Sequence, residues 1–218
     1  MEELPLDFKK MAGELSSFSR ILHQKGFAEA NGGNLSVRVD GGMILSTPTM
    51  MSKGDVTPSD IVLCNMNGEQ IYGTRPASSE LLSHLAIYKA NPQINAVIHS
   101  HPPYCCSYAF TNENPFEPLS PESIIWLGKV AIIDFEIPGT PALSEKLTLH
   151  STSTLAFLLR NHGIITCGGT LQEAMWRSEI MERQCLAMHL IVSRGSSPVQ
   201  LTVAQLELMN LIKSNYIK

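Results

Sequence analysis

The sequence predicts a mixed α/β chain in which short strands pair antiparallel and amphipathic helices lie between groups of strands. Residues 6–25 carry apolar side chains at alternating spacings of three and four, which is typical of an amphipathic helix ending near Gly26. Residues 35–64 form short apolar runs separated by tight turns, and such a meander favours antiparallel pairing. A length of 218 residues predicts a single domain, 1–218.

The composition and charge of the chain limit the kinds of binding partner that we expect. The chain is 44% hydrophobic and 17% charged, with a formal net charge of -4. It has no lysine or arginine run, and its N-terminus has no leader-like apolar region, so we expect a cytoplasmic protein with no nucleic-acid partner and no membrane partner. The five scattered cysteines lack metal or disulfide spacing and are predicted to be small buried residues.

A glycine-rich turn precedes the first predicted strand. Gly32 and Gly33 lie between asparagines, so this segment offers free backbone N–H groups before the alternating residues 35–39 begin a strand. Such a loop can cradle an oxyanion, or it can be a plain turn. The hairpin turn 40–42, the returning strand 43–48 and another strand at 61–64 follow.

A helix is predicted to open at residues 75–80 and to run to Asn91. Ser78 and Ser79 fall at its N-cap and first turn, where hydroxyl and N–H groups at the positive end of the helix dipole suit a phosphate. Glu80 has two interpretations at this stage. A carboxylate in the first turn stabilises a helix by about 0.3–1 kcal/mol without any catalytic role, and it can equally be a functional group.

Two histidines end the next predicted strand, residues 95–98. Because side chains alternate along a strand, His99 and His101 emerge on one face about 7 Å apart and can converge on one ion. The alternative is that one is a hydrogen-bonded core residue and the other is exposed. A metal site needs further ligands, and His162, before a glycine and an apolar run, is a plausible third.

The remaining elements are less regular. Residues 104–145 are proline-rich and predicted irregular apart from a strand near 130–134, and residues 151–160 are predicted as a helix or a helix end. Thr170 and Glu173 form a capping box that starts a helix reaching about Val192, and residues 204–216 form the last helix.

Five of these motifs occur in the order found in one family. The chain resembles the class II, zinc-dependent aldolase/adducin family, of the L-fuculose-1-phosphate aldolase type, from about residue 10 to its end. This resemblance implies a three-layer α/β/α sandwich around a central, largely antiparallel sheet, assembled as a homotetramer with active sites at subunit interfaces. The motifs are Gly33-Asn34-Leu35-Ser36, Thr47-Pro48-Thr49, Ser78-Ser79-Glu80, His99-Ser100-His101 and Asn161-His162-Gly163.

The resemblance also implies roles for individual residues. His99, His101 and His162 match the zinc ligands, one Zn²⁺ per subunit, although three imidazoles also accept other divalent metals. Glu80 matches the catalytic acid/base, and Tyr216 falls where the family has a tail tyrosine. The residues that match the substrate phosphate site are Gly33, Asn34, Thr49, Ser78 and Ser79.

The implied activity is reversible, zinc-dependent aldol cleavage of a ketose phosphate, similar to L-fuculose 1-phosphate, into dihydroxyacetone phosphate and a small aldehyde. Sugar-acid phosphate decarboxylases, a methylthioribulose-phosphate dehydratase and ribulose-phosphate 4-epimerases of the same family are the alternatives. Glu80 argues against the epimerase, which typically carries Asp there. The complete set of three histidines and Glu80 disfavours a non-enzymatic adducin-like module.

Three positions bear on these expectations. Met50 and Met51 follow Thr49 where the aldolase type has glycine, which predicts a bulkier phosphate loop that has moved. Residues 118–123 contain no match for the tyrosine that the aldolase places after its histidine strand. A structural zinc would need a fourth ligand, and His84 is the only nearby extra histidine, which we expect to pack or to hydrogen-bond instead.

Overall fold

The computed structural model describes residues 6–216, with side chains described for residues 8–213. The six α-helices in this part of the chain are α1 (Leu6–Gln24), α2 (Leu81–Ala90), α3 (Pro103–Ala109), α4 (Pro141–Ser151), α5 (Leu171–Ser193) and α6 (Val203–Tyr216). The strands are β1 (Asn34–Val39), β2 (Met43–Ser46), β3 (Val62–Cys64), β4 (Gln70–Tyr72), β5 (Ala96–Ser100), β6 (Ala131–Ile133), β7 (Ala156–Leu159) and β8 (Gly163–Gly168). A π-helical turn covers Ser123–Leu127.

One eight-stranded sheet forms the middle layer, with the strand order β4-β3-β2-β1-β5-β8-β7-β6. Every neighbouring pair is antiparallel except β6 and β7, which are parallel. The central strand β5 places His99 opposite Asn34 of β1 and opposite Ile165 of β8. The first predicted strands therefore pair as the meander pattern indicated, and the histidine strand lies in the middle of the sheet.

Helices cover both faces of this sheet, so the predicted α/β/α sandwich is confirmed. Along each strand the side chains alternate between two cores. On one face, α1 and α5 contribute Leu15, Leu22, Leu171 and Met175 against Leu35, Val37 and Ile98 of the sheet. On the other face, α2 and α4 contribute Leu85, Tyr88 and Leu147 against Val97, Phe157 and Ile165.

Four of these elements, β7, α3, α4 and α2, differ from the sequence prediction. Residues 156–159 form the strand β7 instead of a helix, because all four are buried and a short, fully apolar run has no periodicity that separates a strand from a helix. The segment predicted as irregular contains α3 and α4, each with a proline in its first turn. The helix α2 begins at Leu81, after Ser78 and Ser79, and Glu80 is its N-cap.

The predicted cap of α5 is confirmed. Thr170 caps α5, where its side chain accepts a hydrogen bond from the Glu173 N–H at 3.2 Å. The cysteines are free thiols, and four of them are buried. Among the described residues, no helix is long and apolar enough to cross a membrane.

Candidate active site

The structure brings together the three predicted histidines at the C-terminal end of the central strand β5. His99 lies near the end of β5, His101 directly follows that strand, and His162 precedes β8, which is the antiparallel neighbour of β5. The Nε2 atom of His99 lies 3.1 Å from Nε2 of His101 and 3.1 Å from Nε2 of His162. The antiparallel pairing of β5 with β8 therefore places His162 beside two histidines that lie about sixty residues earlier in the chain.

The donor set fits a divalent metal ion. Tetrahedral ligand nitrogens at about 2.0–2.1 Å from zinc lie about 3.3 Å from one another. The two separations that involve His99 are 3.1 Å, and the ligand atoms of all three histidines lie within 4.8 Å of one another. Nδ1 of His99 donates to the Ile164 carbonyl at 2.9 Å, and Nδ1 of His101 donates to Oε1 of Glu29 at 2.9 Å. These bonds fix the tautomers, so the Nε2 lone pairs of both rings point toward one another, as metal ligation requires.

Burial keeps the imidazoles of His99 and His162 neutral. Burial lowers the pKa of His99 to about 3, and the charge of His101 contributes to this decrease. Burial also lowers the pKa of His162 to about 4, and there the charge of His99 is the second cause. Neutral imidazole is the form that binds a metal ion. At neutral pH these two imidazoles therefore need no deprotonation before they can bind a metal ion.

A close backbone approach makes this convergence possible. A Cβ atom at Gly163 would lie 2.5 Å from the Ser100 carbonyl oxygen and 2.6 Å from Cδ2 of His101. At Gly33, where φ is +68°, a Cβ atom would lie 3.0 Å from the His99 carbonyl oxygen. Glycine at these two positions lets the neighbouring segments pack directly against the histidine strand.

Glu80 faces the histidines from the N-terminus of α2. Its Oε2 lies 3.6 Å from Nε2 of His99 and 3.8 Å from Nε2 of His162, and the side chain is 17% exposed. The carboxylate makes no capping hydrogen bond to the helix, and it accepts one from Nδ2 of Asn34 at 3.2 Å. Its position therefore favours a functional group over a residue that only stabilises the helix.

The fourth nearby histidine belongs to the core. Nδ1 of His84 lies 2.7 Å from the Ser36 hydroxyl, which in turn lies 2.8 Å from the Tyr88 hydroxyl. Burial lowers the pKa of His84 to about 3, and the charge of His99 is the second cause of this decrease. His84 is thus a neutral, hydrogen-bonded residue beneath the site, as expected, and does not belong to the three-histidine cluster.

The three segments predicted to hold phosphate are joined to one another. The Thr47 hydroxyl accepts from the Leu35 N–H at 3.1 Å, which links the second segment to the strand after the glycine turn. The Thr49 N–H donates to the Pro76 carbonyl at 3.1 Å, and Pro48 bridges to Ala77. These bonds bring the glycine turn, the loop at residues 47–50 and the segment that carries Ser78 and Ser79 to one place.

Two details of these segments differ from expectation. Met50 adopts the left-handed conformation, φ +53°, and its side chain is 79% exposed, so the loop keeps a glycine-like backbone and directs the added bulk outward. The side-chain amide of Asn34 is bound to Glu80, while its buried Oδ1 has no partner among the described residues. A contact between Asn34 and phosphate stays a prediction.

Lys53 is a charged residue at the site that the sequence did not reveal. It is 1% exposed, and its Nζ donates to the Asn31 carbonyl at 3.0 Å and to the Met51 carbonyl at 2.6 Å. Burial lowers the pKa of Lys53 to about 8, while the charge of Glu80 raises it. In the sequence it stands in an ordinary polar loop, and no local signal marked it as buried.

The structure describes only the backbone of Tyr216, the predicted catalytic residue in the C-terminal tail. Tyr216 is the last residue of α6, and its side chain lies outside the described part of the chain. Its role therefore stays a prediction. All other predicted site residues belong to the five segments described above, which carry Gly33 and Asn34, Thr49, Ser78 to Glu80, His99 and His101, and His162.

An α/β/α sandwich with three convergent histidines and an adjacent glutamate defines a class of enzyme that carries an open, three-ligand site. Residues 13–189 match the family described as Class II Aldolase and Adducin N-terminal domain. The chain belongs to this family, and the resemblance seen in the five motifs is confirmed.

Relatives of this chain include enzymes with two activities. The 3-oxo-tetronate 4-phosphate decarboxylase of Haemophilus influenzae is 34% identical over 167 residues, covering 75% of this chain and 79% of that protein. The L-fuculose phosphate aldolase of Methanococcus maripaludis is 34% identical over 169 residues, covering 78% and 91%. The crystal structure of YgbL from Escherichia coli matches with a TM-score of 0.87 at 27% identity, covering 93% of this chain and 98% of that one.

Proposed function

We propose that this protein is a metal-dependent carbon–carbon lyase that releases dihydroxyacetone phosphate from a phosphorylated keto sugar acid or keto sugar. The observation that carries the proposal is the position of Glu80, whose Oε2 lies 3.6 and 3.8 Å from the facing nitrogens of His99 and His162. A carboxylate at this distance can exchange a proton with a substrate atom held beside the three histidines.

His99, His101 and His162 are the residues that would hold the metal, which we propose to be one Zn²⁺ per subunit. When bound, a divalent ion supplies Lewis-acid stabilisation of an enediolate. Glu80 then delivers a proton to the enediolate carbon, and Asn34 keeps the carboxylate in place through its 3.2 Å hydrogen bond. This division of roles needs no Schiff-base lysine.

The substrate phosphate would lie between the glycine turn, the loop after Thr47 and the segment with Ser78 and Ser79. Gly33 and Thr49 belong to the first two segments, which offer backbone N–H groups and a hydroxyl. Lys53 links these two segments, because its ammonium donates hydrogen bonds to the Asn31 carbonyl in the first and to the Met51 carbonyl in the second. We propose that its positive charge also offsets the charge of the phosphate.

Two reactions lead to the same enediolate. Decarboxylation of a 3-oxo sugar acid 4-phosphate releases carbon dioxide. Aldol cleavage of a ketose phosphate releases an aldehyde instead, and the substrate hydroxyl that becomes the aldehyde carbonyl must give its proton to a further group. Residues 118–123 contain no tyrosine that could assist that second proton transfer. Decarboxylation is therefore our first candidate, in line with the activity named for the Haemophilus relative, and aldol cleavage of a substrate similar to L-fuculose 1-phosphate is the second.

The test measures dihydroxyacetone phosphate released from 3-oxo-tetronate 4-phosphate and from L-fuculose 1-phosphate, with and without a chelator. We expect chelator-sensitive release, accompanied by carbon dioxide for the first substrate or by an aldehyde for the second. Glu80→Gln should lower the rate by about 10²–10⁴-fold with an unchanged metal content. Glu69→Gln, which alters an exposed carboxylate in a hairpin turn, is the matched control.

The proposal fails if metal-loaded protein releases the product from neither substrate, or if Glu80→Gln keeps full activity. We further propose a homotetramer with the active site at the subunit interface, and a cytoplasmic location. Light scattering of the purified protein tests the assembly. Metal analysis of protein purified without added zinc tests the identity of the resident ion.

A further inference from the structure

A second polar cavity lies at the opposite end of the central strand β5 from the histidines. Its volume is about 230 Å³, and its walls come from the π-helical turn, the segment 152–155 before β7, and the helices α5 and α6. Arg177 and Lys213 line it from the two helices, and Lys129 lies at its rim. No carboxylate is among the described residues that line the cavity, although they include these three cations.

The cavity is separate from the active site. It is lined by Gln93, which precedes β5, while His99 and His101 lie at the other end of that strand. At about 3.3 Å per residue, the five residues of β5 put roughly 16 Å between the two sites. One small sugar phosphate cannot occupy both of them.

Arg177 is one of the residues that line this cavity. The residue is fully buried, Nε donates to the Trp126 carbonyl at 3.0 Å, and Nη1 donates to the Cys167 carbonyl at 3.0 Å. Nη1 also lies 3.4 Å from Oε2 of Glu173, whereas Nη2 has no hydrogen-bond partner among the described residues. Guanidinium is a planar donor that matches phosphate and carboxylate oxygens, so Arg177 has a donor group left for an anion that enters the cavity.

Lys213 adds a second positive charge beside the first. Its Nζ reaches the π-helical turn, where a Cβ atom at Gly128 would lie only 2.8 Å from it. Burial, and then the charge of Arg177, lower the pKa of Lys213. Glu173 offsets part of the charge of Arg177, and an anion that binds between Arg177 and Lys213 stabilises the two cations further.

We propose that this cavity is a binding site for a compact oxyanion with at least two negative charges, held between Arg177 and Lys213. Phosphate groups and small polycarboxylates share this chemistry. The site is independent of the reaction proposed above, because it uses none of the active-site residues. Its ligand would be a small molecule separate from the substrate.

Tryptophan fluorescence offers a selective test. The chain has two tryptophans, and Trp126 and Trp176 contact each other with ring centroids 4.9 Å apart beside this cavity. The guanidinium of Arg177 lies 5.6 Å from the Trp126 ring centroid. Titration with inorganic phosphate at constant ionic strength should therefore give a saturable change in emission, and acetate should not. Parallel titration with citrate separates a phosphate ligand from a polycarboxylate.

Lys213→Met should weaken the phosphate response at least tenfold, and Lys213→Arg should retain it, because it keeps the charge. Ser78→Ala, at the proposed active-site phosphate position, should leave the tryptophan response unchanged. Lys25→Met, which removes an exposed lysine paired with Glu179, is the matched control. The proposal is overturned if wild-type protein gives no saturable response to either anion. It is also overturned if Lys213→Met binds phosphate like wild type, or if both Lys213 variants lose the response equally.

Discussion

Glu29 offers a direct test of how the candidate metal centre is organised. Its Oε1 accepts a hydrogen bond from Nδ1 of His101 at 2.9 Å, which leaves the lone pair of Nε2 facing the other histidines. Glu29→Ala removes this partner without touching the three imidazoles. His101 is then free to adopt the other tautomer or to rotate, so zinc should bind more weakly.

The size of the effect follows from the exposure of the two partners. Loss of a carboxylate that orients a metal-bound histidine typically weakens metal binding about 10–100-fold. The Glu29 side chain is 67% exposed and that of His101 17%, so water can replace the lost acceptor. We therefore expect the lower end of the range, about tenfold, or about 1.4 kcal/mol of binding free energy.

Competition between the protein and a chelating indicator at neutral pH measures this affinity for Zn²⁺. Glu29→Gln should have a smaller effect than Glu29→Ala, because its amide oxygen still accepts a hydrogen bond. Glu69→Ala, which changes a carboxylate bonded to Asn65, should bind zinc like wild type. An unchanged dissociation constant in Glu29→Ala would refute the idea that this bond prepares His101 for a metal.

Two further predictions concern buried groups around the site. Because burial lowers the pKa of Lys53 from 10.5 to about 8, the unfolded chain binds more protons than the folded chain between these values. The free energy of unfolding of wild type relative to Lys53→Met should therefore rise as the pH increases from 8 to 10.5, as urea denaturation can measure. Gly163→Ala places a Cβ atom 2.6 Å from Cδ2 of His101 and should both weaken zinc binding and lower stability by about 1–3 kcal/mol.

Each of these predictions has a control in the same chain. Lys25→Met removes an exposed lysine, and its stability relative to wild type should not vary over this pH range. Gly13→Ala adds a methyl group in α1 where no atom lies within 4 Å, so it should stabilise the protein by about 0.5–1 kcal/mol. The packing described here would be contradicted if the difference in the free energy of unfolding between wild type and Lys53→Met did not change between pH 8 and 10.5. It would also be contradicted if Gly163→Ala had the stability and the zinc affinity of wild type.

Much of the site was predictable from local patterns. The spacing of His99 and His101 on one strand marked them as a pair, and a glycine turn with adjacent asparagines marked an anion-binding segment. The order of the five motifs then indicated the family, which is confirmed. The roles assigned to His162, Glu80 and the phosphate residues stay predictions, but the structure places all their segments together.

By itself, the sequence determined the elements with strong local signals. These are the amphipathic helix α1, the hairpin around residues 40–42 and the helix α5 with its Thr170 cap. Each element depends on side-chain periodicity or on a hydrogen bond between residues a few positions apart, so the residues close in sequence are enough to define it.

Only the tertiary structure decided which distant residues share an environment. The pairing of β5 with β8 sets His162 beside His99, and the packing of loops over the sheet buries Lys53 between two carbonyl groups. The same is true of Arg177 and Lys213, which come from different helices and meet in one cavity. Burial and charge proximity depend on the whole fold, because they arise from contacts between segments that are far apart in the chain.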